Sequence, residues 1–367
     1  MSRILRWSAL LALPLLSAVA TVAVTAAPAA ADPPGCAMTV STSTTLTSDI
    51  GPCPHGGITV AADGVTLDLG GHRVFGTPQP GDGAGIYLLN RTGVTVRNGA
   101  VSAFDGGVVI EGGGSNVVTG LTVEDNVGRS GQSAYGDGIA LESTVGNRVV
   151  SNTVRRNGGF SGIGIYSLVD SDHPRATSGT STGNVIEGNF VADNTASRDG
   201  IPTDTDNDGI RLENSSVGNF VTDNLVSNSG LDGISLFRGS GRNTITGNTV
   251  THNGFFRTAA RRGSGIISFN LANQNRISNN IVTGNADNGI AIRGPLGATP
   301  GSTSNQITFN TATANVALST IPSAAFGPAF DLNDGNPNCD ADVWYGNRYG
   351  TANPPCTTAG GTHVSAA

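Results

Sequence analysis

The chain has 367 residues and a formal net charge of −7 at neutral pH. An acidic chain is a poor general binder of nucleic acids and of anionic membrane surfaces, so neither partner is expected. Its basic residues are all arginines, which excludes catalysis by a lysine base or a lysine Schiff base.

The first 31 residues predict an export signal. Arg3 and Arg6 precede an apolar, alanine-rich run, and three alanines at 29–31 offer a small-residue cleavage site. A retained membrane anchor is the alternative, but the run is short for a membrane span. We therefore expect residues 1–31 to be removed and the protein to be secreted.

The four cysteines form two short-range pairs near the ends of the mature chain. Cys36 and Cys53 bracket the first segment, and Cys339 and Cys356 bracket the last. In an exported protein this spacing predicts two disulfides, each contributing about 3 kcal/mol in the chain-entropy model. Metal ligation is the alternative, but no CxxC motif or nearby histidine cluster supports it.

A repeat of about 24 residues runs through most of the chain. Each copy holds three short β-rich runs, G-I-x-L, N-x-I/V and N-x-V, separated by asparagine or glycine, which favour sharp turns. One copy cannot bury a core, whereas stacked copies form parallel strands about 4.8 Å apart around an apolar column. The clearest copies are residues 136–158, 207–230, 231–254 and 263–286.

Asparagine recurs at one position of the repeat. Side-chain amides at equivalent positions of stacked coils are predicted to form a hydrogen-bonded ladder along the stack. The members of the predicted ladder are Asn152, Asn189, Asn224, Asn248, Asn280 and Asn310.

These repeats resemble those of the right-handed parallel β-helix family, the pectin-lyase-like and NosD-like superfamily. The resemblance covers roughly residues 36–350, and "GITVAADGVTLDLGGHRVFG" (57–76) is similar to the first coil common in that family. It implies an all-β, single-stranded right-handed parallel β-helix of about 22–24-residue coils. We assign residues 57–335 to the helix, 32–56 to an N-terminal cap and 336–367 to a C-terminal cap. The family includes lyases, hydrolases, epimerases and non-catalytic binders, so fold does not decide activity.

One face of the predicted stack carries a mixed set of polar and aromatic side chains. In each G-I-x-L run the isoleucine and leucine point inward, so the intervening residue and the next one point outward. Glu142, Arg211, Glu213 and Phe237 are such outward positions, and acids, arginine and aromatics together suit a sugar ligand. We predict substrate-binding roles for these four; the alternative is a solvated sheet face with scattered charges.

Long loops are predicted to wall a groove across this face. Three coils contain a long loop before their G-I-x-L run, and all three loops enter the same edge of this face. Long loops on a rigid scaffold commonly carry function. The last contains Arg257, Arg261 and Arg262, a cationic set that suits an anionic glycan as substrate. An insertion without a ligand is the alternative. The loops are residues 128–136, 195–207 and 254–264.

A further insertion follows Tyr166, and here the sequence is similar to β-helical uronan C5-epimerases. That family carries a Tyr-x-x-Asp-Pro-His-type loop before an "IEGN" run, and this chain has Tyr166, Asp170, Asp172 and His173 there in a different order and spacing. The family also has an arginine at the end of a later G-I strand, where Arg238 stands. The resemblance implies catalytic roles for these five residues.

Two reactions on a glycan are compatible with these residues. Removal of the proton next to a uronate carboxylate needs an arginine to neutralise that carboxylate, and an acid and a base, for which Tyr166 and His173 are the candidates. The result would be β-elimination or C5-epimerisation. Glycoside hydrolysis is the alternative: Asp208 and Asp232 precede equivalent glycines in adjacent coils, near the spacing of retaining enzymes. A non-catalytic glycan-binding solenoid is the competing class.

Calcium is the one cofactor that the sequence leaves open. Asp204, Asp206 and Asp208 alternate before Gly209, as at the start of an EF-hand loop. The match ends there, because the chain must continue directly into a buried β-run. We therefore expect a monomeric, secreted protein whose partner is an anionic polysaccharide, with a possible calcium ligand set in one loop.

Overall fold

The computed structural model describes residues 35–77, 83–128, 136–167, 179–195, 207–254, 263–315 and 328–365. The chain divides into two compact units, Met1–Ala31 and Asp32–Ala367. The first unit, with the predicted export signal, lies outside the described residues. Within the described ranges, no helix is long and apolar enough to cross a membrane.

The second unit consists of short strands, and two single-turn 3-10 helices lie at Pro337–Cys339 and Pro355–Thr358. The strands of the first four coils are β1 (Met38–Val40), β2 (Thr44–Thr45), β3 (Ile50–Cys53), β4 (Ile58–Val60), β5 (Thr66–Asp68), β6 (Arg73–Gly76), β7 (Ala84–Leu89), β8 (Thr95–Ser102), β9 (Gly106–Glu111) and β10 (Val117–Glu124). The next coils contain β11 (Ile139–Glu142), β12 (Arg148–Val150), β13 (Thr153–Arg155), β14 (Ser161–Tyr166), β15 (Val185–Glu187), β16 (Phe190–Ala192), β17 (Asp208–Glu213), β18 (Phe220–Thr222), β19 (Leu225–Ser227), β20 (Ile234–Leu236), β21 (Thr244–Thr246) and β22 (Thr249–Thr251). The last coils contain β23 (Ile266–Ser268), β24 (Arg276–Ser278), β25 (Ile281–Thr283), β26 (Ile290–Ile292), β27 (Gln306–Thr308), β28 (Thr311–Thr313), β29 (Leu332–Asp334), β30 (Val343–Tyr345), β31 (Arg348–Tyr349), β32 (Ala352–Asn353) and β33 (Thr362–His363).

The strands stack into three parallel ladders, which confirms the predicted β-helix. The first ladder has twelve strands in the order β1-β4-β7-β9-β11-β14-β17-β20-β23-β26-β29-β32. A typical coil adds one further strand to each of two other ladders, as β12 pairs with β15 and β13 with β16. The long strands β8 and β10 belong to both of these ladders. Strands that are one coil apart in the sequence are therefore direct neighbours in the structure.

The core is a single apolar column inside the three ladders. Ile139 and Leu141 of β11 are fully buried, and so are Ile210 and Leu212 of β17. Burial of one or two apolar residues in most strands of the stack supplies the hydrophobic stabilisation that one coil lacks. The predicted inward direction of the G-I-x-L runs is confirmed.

Three asparagine ladders cross-link the turns of successive coils. The predicted ladder is confirmed, since each amide from Asn152 onward donates to the next one at 2.9–3.0 Å. A second ladder runs from Asn116 to Asn305 and ends on Asp342. A third contains two runs, and the second of these ends on Asp331. In these contacts one side-chain oxygen accepts both a backbone and a side-chain N–H, so each amide holds the register of two coils.

Coil length varies more than the predicted 22–24 residues. Asn219 and Asn243 of adjacent coils are 24 residues apart, but Asn147 and Asn184 are 37 apart. The longer coil includes residues 168–178, which lie outside the described ranges. Insertion leaves the ladder intact because only the turn residues need to stack.

Both predicted disulfides are confirmed, one near each end of the helix. Cys36 and Cys53 are bonded at 2.02 Å, and Cys339 and Cys356 at 2.15 Å. The ladders extend into both segments assigned as caps: β1 pairs in register with β4, and β30 with β27. The capping segments are thus themselves stacked on the helix.

We expect Asn224→Ala to lower the free energy of unfolding by about 2–4 kcal/mol, because it orphans several buried polar groups. The Asn224 side chain accepts from the backbone N–H and the amide of Asn189, and it donates to Asn248 and to the Ile186 carbonyl. Urea denaturation measures the loss. Thr222→Ala, two residues away on an outward position, is the control and should cost less than about 1 kcal/mol. Equal losses in the two variants would contradict a stabilising role for the ladder.

Candidate functional site

The outward face of the first ladder is buried around its middle coils. Glu111, Glu142, Tyr166 and Glu213 occupy successive strands in direct register. Each is at most 3% exposed. The alternative of a solvated sheet face with scattered charges is therefore wrong here. Charges on this face interact strongly, because little water screens them.

A hydrogen-bonded cluster joins Tyr166 to the preceding coil. The Tyr166 hydroxyl donates to Oδ1 of Asp137 at 3.0 Å and lies 3.1 Å from Ser161 Oγ. Ser161 donates to the same carboxylate oxygen. Burial raises the pKa of Asp137 to about 7, although both hydroxyl donors oppose the shift. Burial, followed by the charge of Asp137, also raises the pKa of Tyr166 well above its usual value.

Glu142 is a fully buried carboxyl without a hydrogen-bond partner for either oxygen among the described residues. Burial raises its pKa well above the usual range, and the charges of Glu111 and Asp137 add to the shift. Its neighbour Glu111 accepts a hydrogen bond from the Tyr87 hydroxyl at 2.6 Å. Burial therefore favours the protonated form of Glu142, which can donate a proton or a hydrogen bond.

Arg211 is locked in place by two carboxylates and two rings. Its guanidinium donates to Asp208 at 3.1 Å and to Glu213 at 2.7 Å. The guanidinium carbon also lies 4.6 Å from the ring centre of Phe160 and 5.3 Å from that of Phe237. Arg211 was predicted to bind substrate. Its side chain is 8% exposed, and its described contacts fit an arginine that holds two acids in position.

Arg238 is an accessible cation beside this face. Its side chain is 58% exposed and lies just beyond β20, with Nη1 3.0 Å from Glu213 Oε1. The guanidinium also stacks on Phe237, whose ring packs against Phe269 at 5.2 Å. The backbone of Arg238 is left-handed, with φ 44°, a conformation uncommon outside glycine. An arginine held this way can bind a carboxylate of a ligand.

Asp208 and Asp232 lie in adjacent coils, as predicted. Asp208 accepts from the Asp232 backbone N–H at 3.0 Å and from the Ser235 hydroxyl at 2.6 Å, in addition to its ion pair with Arg211. Asp232 accepts from the Ser264 backbone N–H at 2.6 Å. Burial, followed by the charge of Asp208, raises the pKa of Asp232 well above its usual range. Asp208 is thus paired with an arginine, whereas burial favours the protonated form of Asp232.

Several predicted site residues and the central parts of all three predicted groove walls lie outside the described residues. Calcium at Asp208 therefore stays a prediction, since its two companions are among them. In the described part of the chain, no group of three or more histidines, cysteines or acids is arranged to hold a metal ion. The undescribed site residues are Asp170, Asp172, His173, Arg257, Arg261, Arg262, Asp204 and Asp206.

Two members of the cluster around Tyr166 were not predicted as site residues. Asp137 lies two residues before β11 and Ser161 is the first residue of β14. In their coils they take the position, before the G-I glycine, that Asp208 and Asp232 occupy further along. Alignment of the repeat copies at the residue before the G-I glycine would have found both. The sequence alone did not single out Asp137, because its contact with Tyr166 depends on the direction of a ring.

A family model described as "Right handed beta helix region" matches residues 55–203 and 202–353. No curated protein sequence matches the chain significantly. Among solved structures, the Dettilon tailspike protein has a TM-score of 0.53 at 18% identity, over 86% of this chain and 54% of its own. A mutant of the periplasmic alginate epimerase AlgG has a TM-score of 0.50 at 14% identity, over 84% of this chain and 76% of its own.

This chain spans about half of the length of the tailspike protein. At these identities the two structures show a common fold and nothing further. The family match covers most of the chain and agrees with the three parallel ladders, so the chain belongs to the right-handed β-helix family.

Proposed function

We propose that this chain is a carbohydrate-active β-helix protein that transfers protons on an anionic polysaccharide, by β-elimination or C5-epimerisation of a uronate. One observation carries the proposal: the Tyr166 hydroxyl donates to Asp137, a buried carboxyl with a pKa of about 7. A group that titrates near neutral pH is suited to exchange protons during turnover.

Tyr166 is the proposed acid. Its raised pKa keeps the phenol protonated, so it can give a proton to the C5 carbanion in epimerisation or to the departing O4 in elimination. The phenolate then takes a proton from the Asp137 carboxyl, which regains one from solvent. His173 is the base that the sequence predicts.

Arg238 and Glu142 are the proposed partners of the uronate carboxylate. The proton next to a carboxylate becomes removable only when negative charge on that carboxylate is neutralised. Arg238 offers an exposed guanidinium, and Glu142 offers a carboxyl with a raised pKa whose two oxygens have no hydrogen-bond partner among the described residues. Both lie near Tyr166. Glu142 and Glu213 flank Tyr166 in register, and Arg238 contacts Glu213.

We also propose that the protein works outside the reducing cytosol as a monomer. Its two disulfides are typical of proteins that fold in an oxidising compartment. The similar alginate epimerase is described as periplasmic. Because that enzyme is described as an alginate epimerase, alginate is the first uronan to test on this chain.

Glycoside hydrolysis is the second candidate, and the pair Asp208–Asp232 favours it. The pKa of Asp232 is raised well above its usual range, while Asp208 is ion-paired with Arg211. Hydrolysis requires one carboxyl that gives a proton and a second that acts as a carboxylate, and the raised pKa of Asp232 suits the first role. Their strands are adjacent, about 4.8 Å apart, near the spacing of retaining enzymes.

The purified protein should convert at least one uronan in a panel that includes alginate and polygalacturonate. Ultraviolet absorbance of the unsaturated sugar reports elimination, proton NMR reports epimerisation, and new reducing ends without unsaturation report hydrolysis. Tyr166→Phe should lower turnover by about 10²- to 10⁴-fold, because it removes the acid. Tyr345→Phe, an exposed tyrosine on another ladder, is the matched control and should leave turnover unchanged.

Other outcomes separate the candidates. Hydrolysis is supported if Asp208→Asn or Asp232→Asn abolishes reducing-end formation while Tyr166→Phe remains active. Loss of activity in His173→Ala, with Asp208→Asn active, supports the lyase or epimerase. Binding of a uronan without any product would contradict both and identify a non-catalytic binder. Parallel assays with added calcium and with a chelator test the predicted calcium ligand set.

The pH dependence of stability gives an activity-independent check on Asp137. Its folded-state pKa of about 7 lies above the usual value of 3.8, so the folded protein keeps a proton that the unfolded chain has lost. Asp137 therefore stabilises the fold fully below about pH 4, and this contribution disappears as pH rises to about 7. Relative to Asp137→Asn, the wild-type protein should lose up to about 4 kcal/mol over that range.

Urea denaturation at a series of pH values measures this difference. Asp223→Asn, which removes an exposed carboxyl on another ladder, is the control and should show no comparable drift. A constant difference between wild type and Asp137→Asn from pH 4 to pH 8 would show that Asp137 ionises normally and would remove the basis of the proton relay.

A further inference from the structure

We propose that Gly164 is a positioning residue of this site: its missing side chain lets the Tyr166 ring fold back over its own strand and reach Asp137 and Ser161. The inference deepens the proposed function and rests on it only for the role of Tyr166. The placement of the ring can be tested without any activity.

The contact requires an unusual direction of the tyrosine side chain. Tyr166 is the last residue of β14, and its register neighbours are Glu142 and Glu213. Its hydroxyl nevertheless bonds to Ser161, the first residue of the same strand, and to Asp137, which precedes β11. The ring therefore lies back along the strand instead of standing upright on the sheet.

Gly164 lies directly beneath the ring. Side chains two residues apart on a strand share a face, so any side chain at position 164 would occupy the space of the ring. A β-carbon built on Gly164 would be 2.1 Å from the Tyr166 hydroxyl oxygen and 2.3 Å from two ring carbons. Real non-bonded carbon contacts are not this short, so the ring would have to move.

Gly164 is exceptional in its row. In direct register with it on the first ladder, the described strands carry a side chain at each of the other eleven positions, including Ala140 before it and Arg211 after it. The complete set of these eleven is Thr39, Thr59, Tyr87, Val109, Ala140, Arg211, Ser235, Ile267, Ala291, Asn333 and Asn353. Its φ is not left-handed, so backbone conformation does not require glycine here.

Other contacts hold the ring once it is in this position. Phe160 packs against the Tyr166 ring at 5.4 Å and against the guanidinium of Arg211 at 4.6 Å. Arg211 is in turn ion-paired to Asp208 and Glu213. The cluster keeps the phenol at the buried carboxyl, and Gly164 provides the space that makes the arrangement possible.

Nitration of tyrosine by tetranitromethane, read by peptide mass spectrometry, tests the placement in the full-length protein. In the wild type, Tyr166 is 3% exposed and hydrogen-bonded to Asp137, so it should be nitrated much more slowly than Tyr345, which is 53% exposed and serves as the internal standard. In Gly164→Ala we expect Tyr166 to be nitrated to the extent of Tyr345, because the ring is displaced toward solvent. Ala291→Ser, an enlargement in the same row four strands away, should leave Tyr166 protected.

The inference is overturned if Gly164→Ala folds and its Tyr166 stays as protected as in the wild type. If Gly164→Ala fails to fold, the double variant Gly164→Ala/Tyr166→Ala decides. Recovery of folding in the double variant supports a conflict with the ring, and continued failure shows a conflict elsewhere and overturns the inference.

Turnover distinguishes this inference from the proposed function. If the protein acts on a uronan, Gly164→Ala should lower turnover as much as Tyr166→Phe does. If no glycan in the panel is converted, the proposed function fails, while exposure of Tyr166 in Gly164→Ala would still establish the positioning role of Gly164.

Discussion

The hydrogen bonds that hold successive coils in register are the constraint on which the rest of this structure depends. Backbone ladders fix the strands, and three asparagine ladders fix the turns between them. Each buried amide would be costly to leave unpaired, so one coil specifies the position of the next. As a consequence, Glu111, Glu142, Tyr166 and Glu213 form one row, although more than a hundred residues separate the first from the last.

The same register brings acidic side chains together in a place with little water, where their negative charges would repel each other. Two arrangements in the protein reduce this repulsion. Asp208 and Glu213 share the guanidinium of Arg211, whose rigid fork can serve two carboxylates at once. Asp137 and Glu142 have raised pKa values, mainly because burial disfavours the charged form. A face with both kinds of acid side by side is suited to proton transfer.

The solenoid also explains how such a face can be elaborated without loss of the fold. Each coil contacts only its neighbours, so a coil may be 24 or 37 residues long while its asparagine stays in the ladder. The undescribed segments 129–135, 196–206 and 255–262 each precede a strand of the first ladder, and 168–178 directly follows one. In the sequence, these segments therefore adjoin strands of the ladder that carries the candidate site, as expected where loops carry function.

Local pattern in the sequence determined the fold, the asparagine ladder, the inward Ile210 and Leu212, both disulfides and the adjacency of Asp208 and Asp232. All of these follow from a repeat whose copies obey the same short-range rules. The sequence also pointed to Tyr166, although only through a resemblance.

Only the tertiary structure decided how the side chains of the face are used. It joined Tyr166 to Asp137 across a glycine, enclosed Arg211 between acids and rings, and left Arg238 accessible. Spacing in a repeat gives the position of each backbone but not the direction of a ring or the amount of water around a carboxyl. The direction of a ring and the hydration of a carboxyl depend on packing between residues from several coils. The resulting burial sets the pKa of each acid and so favours its protonated or its charged form.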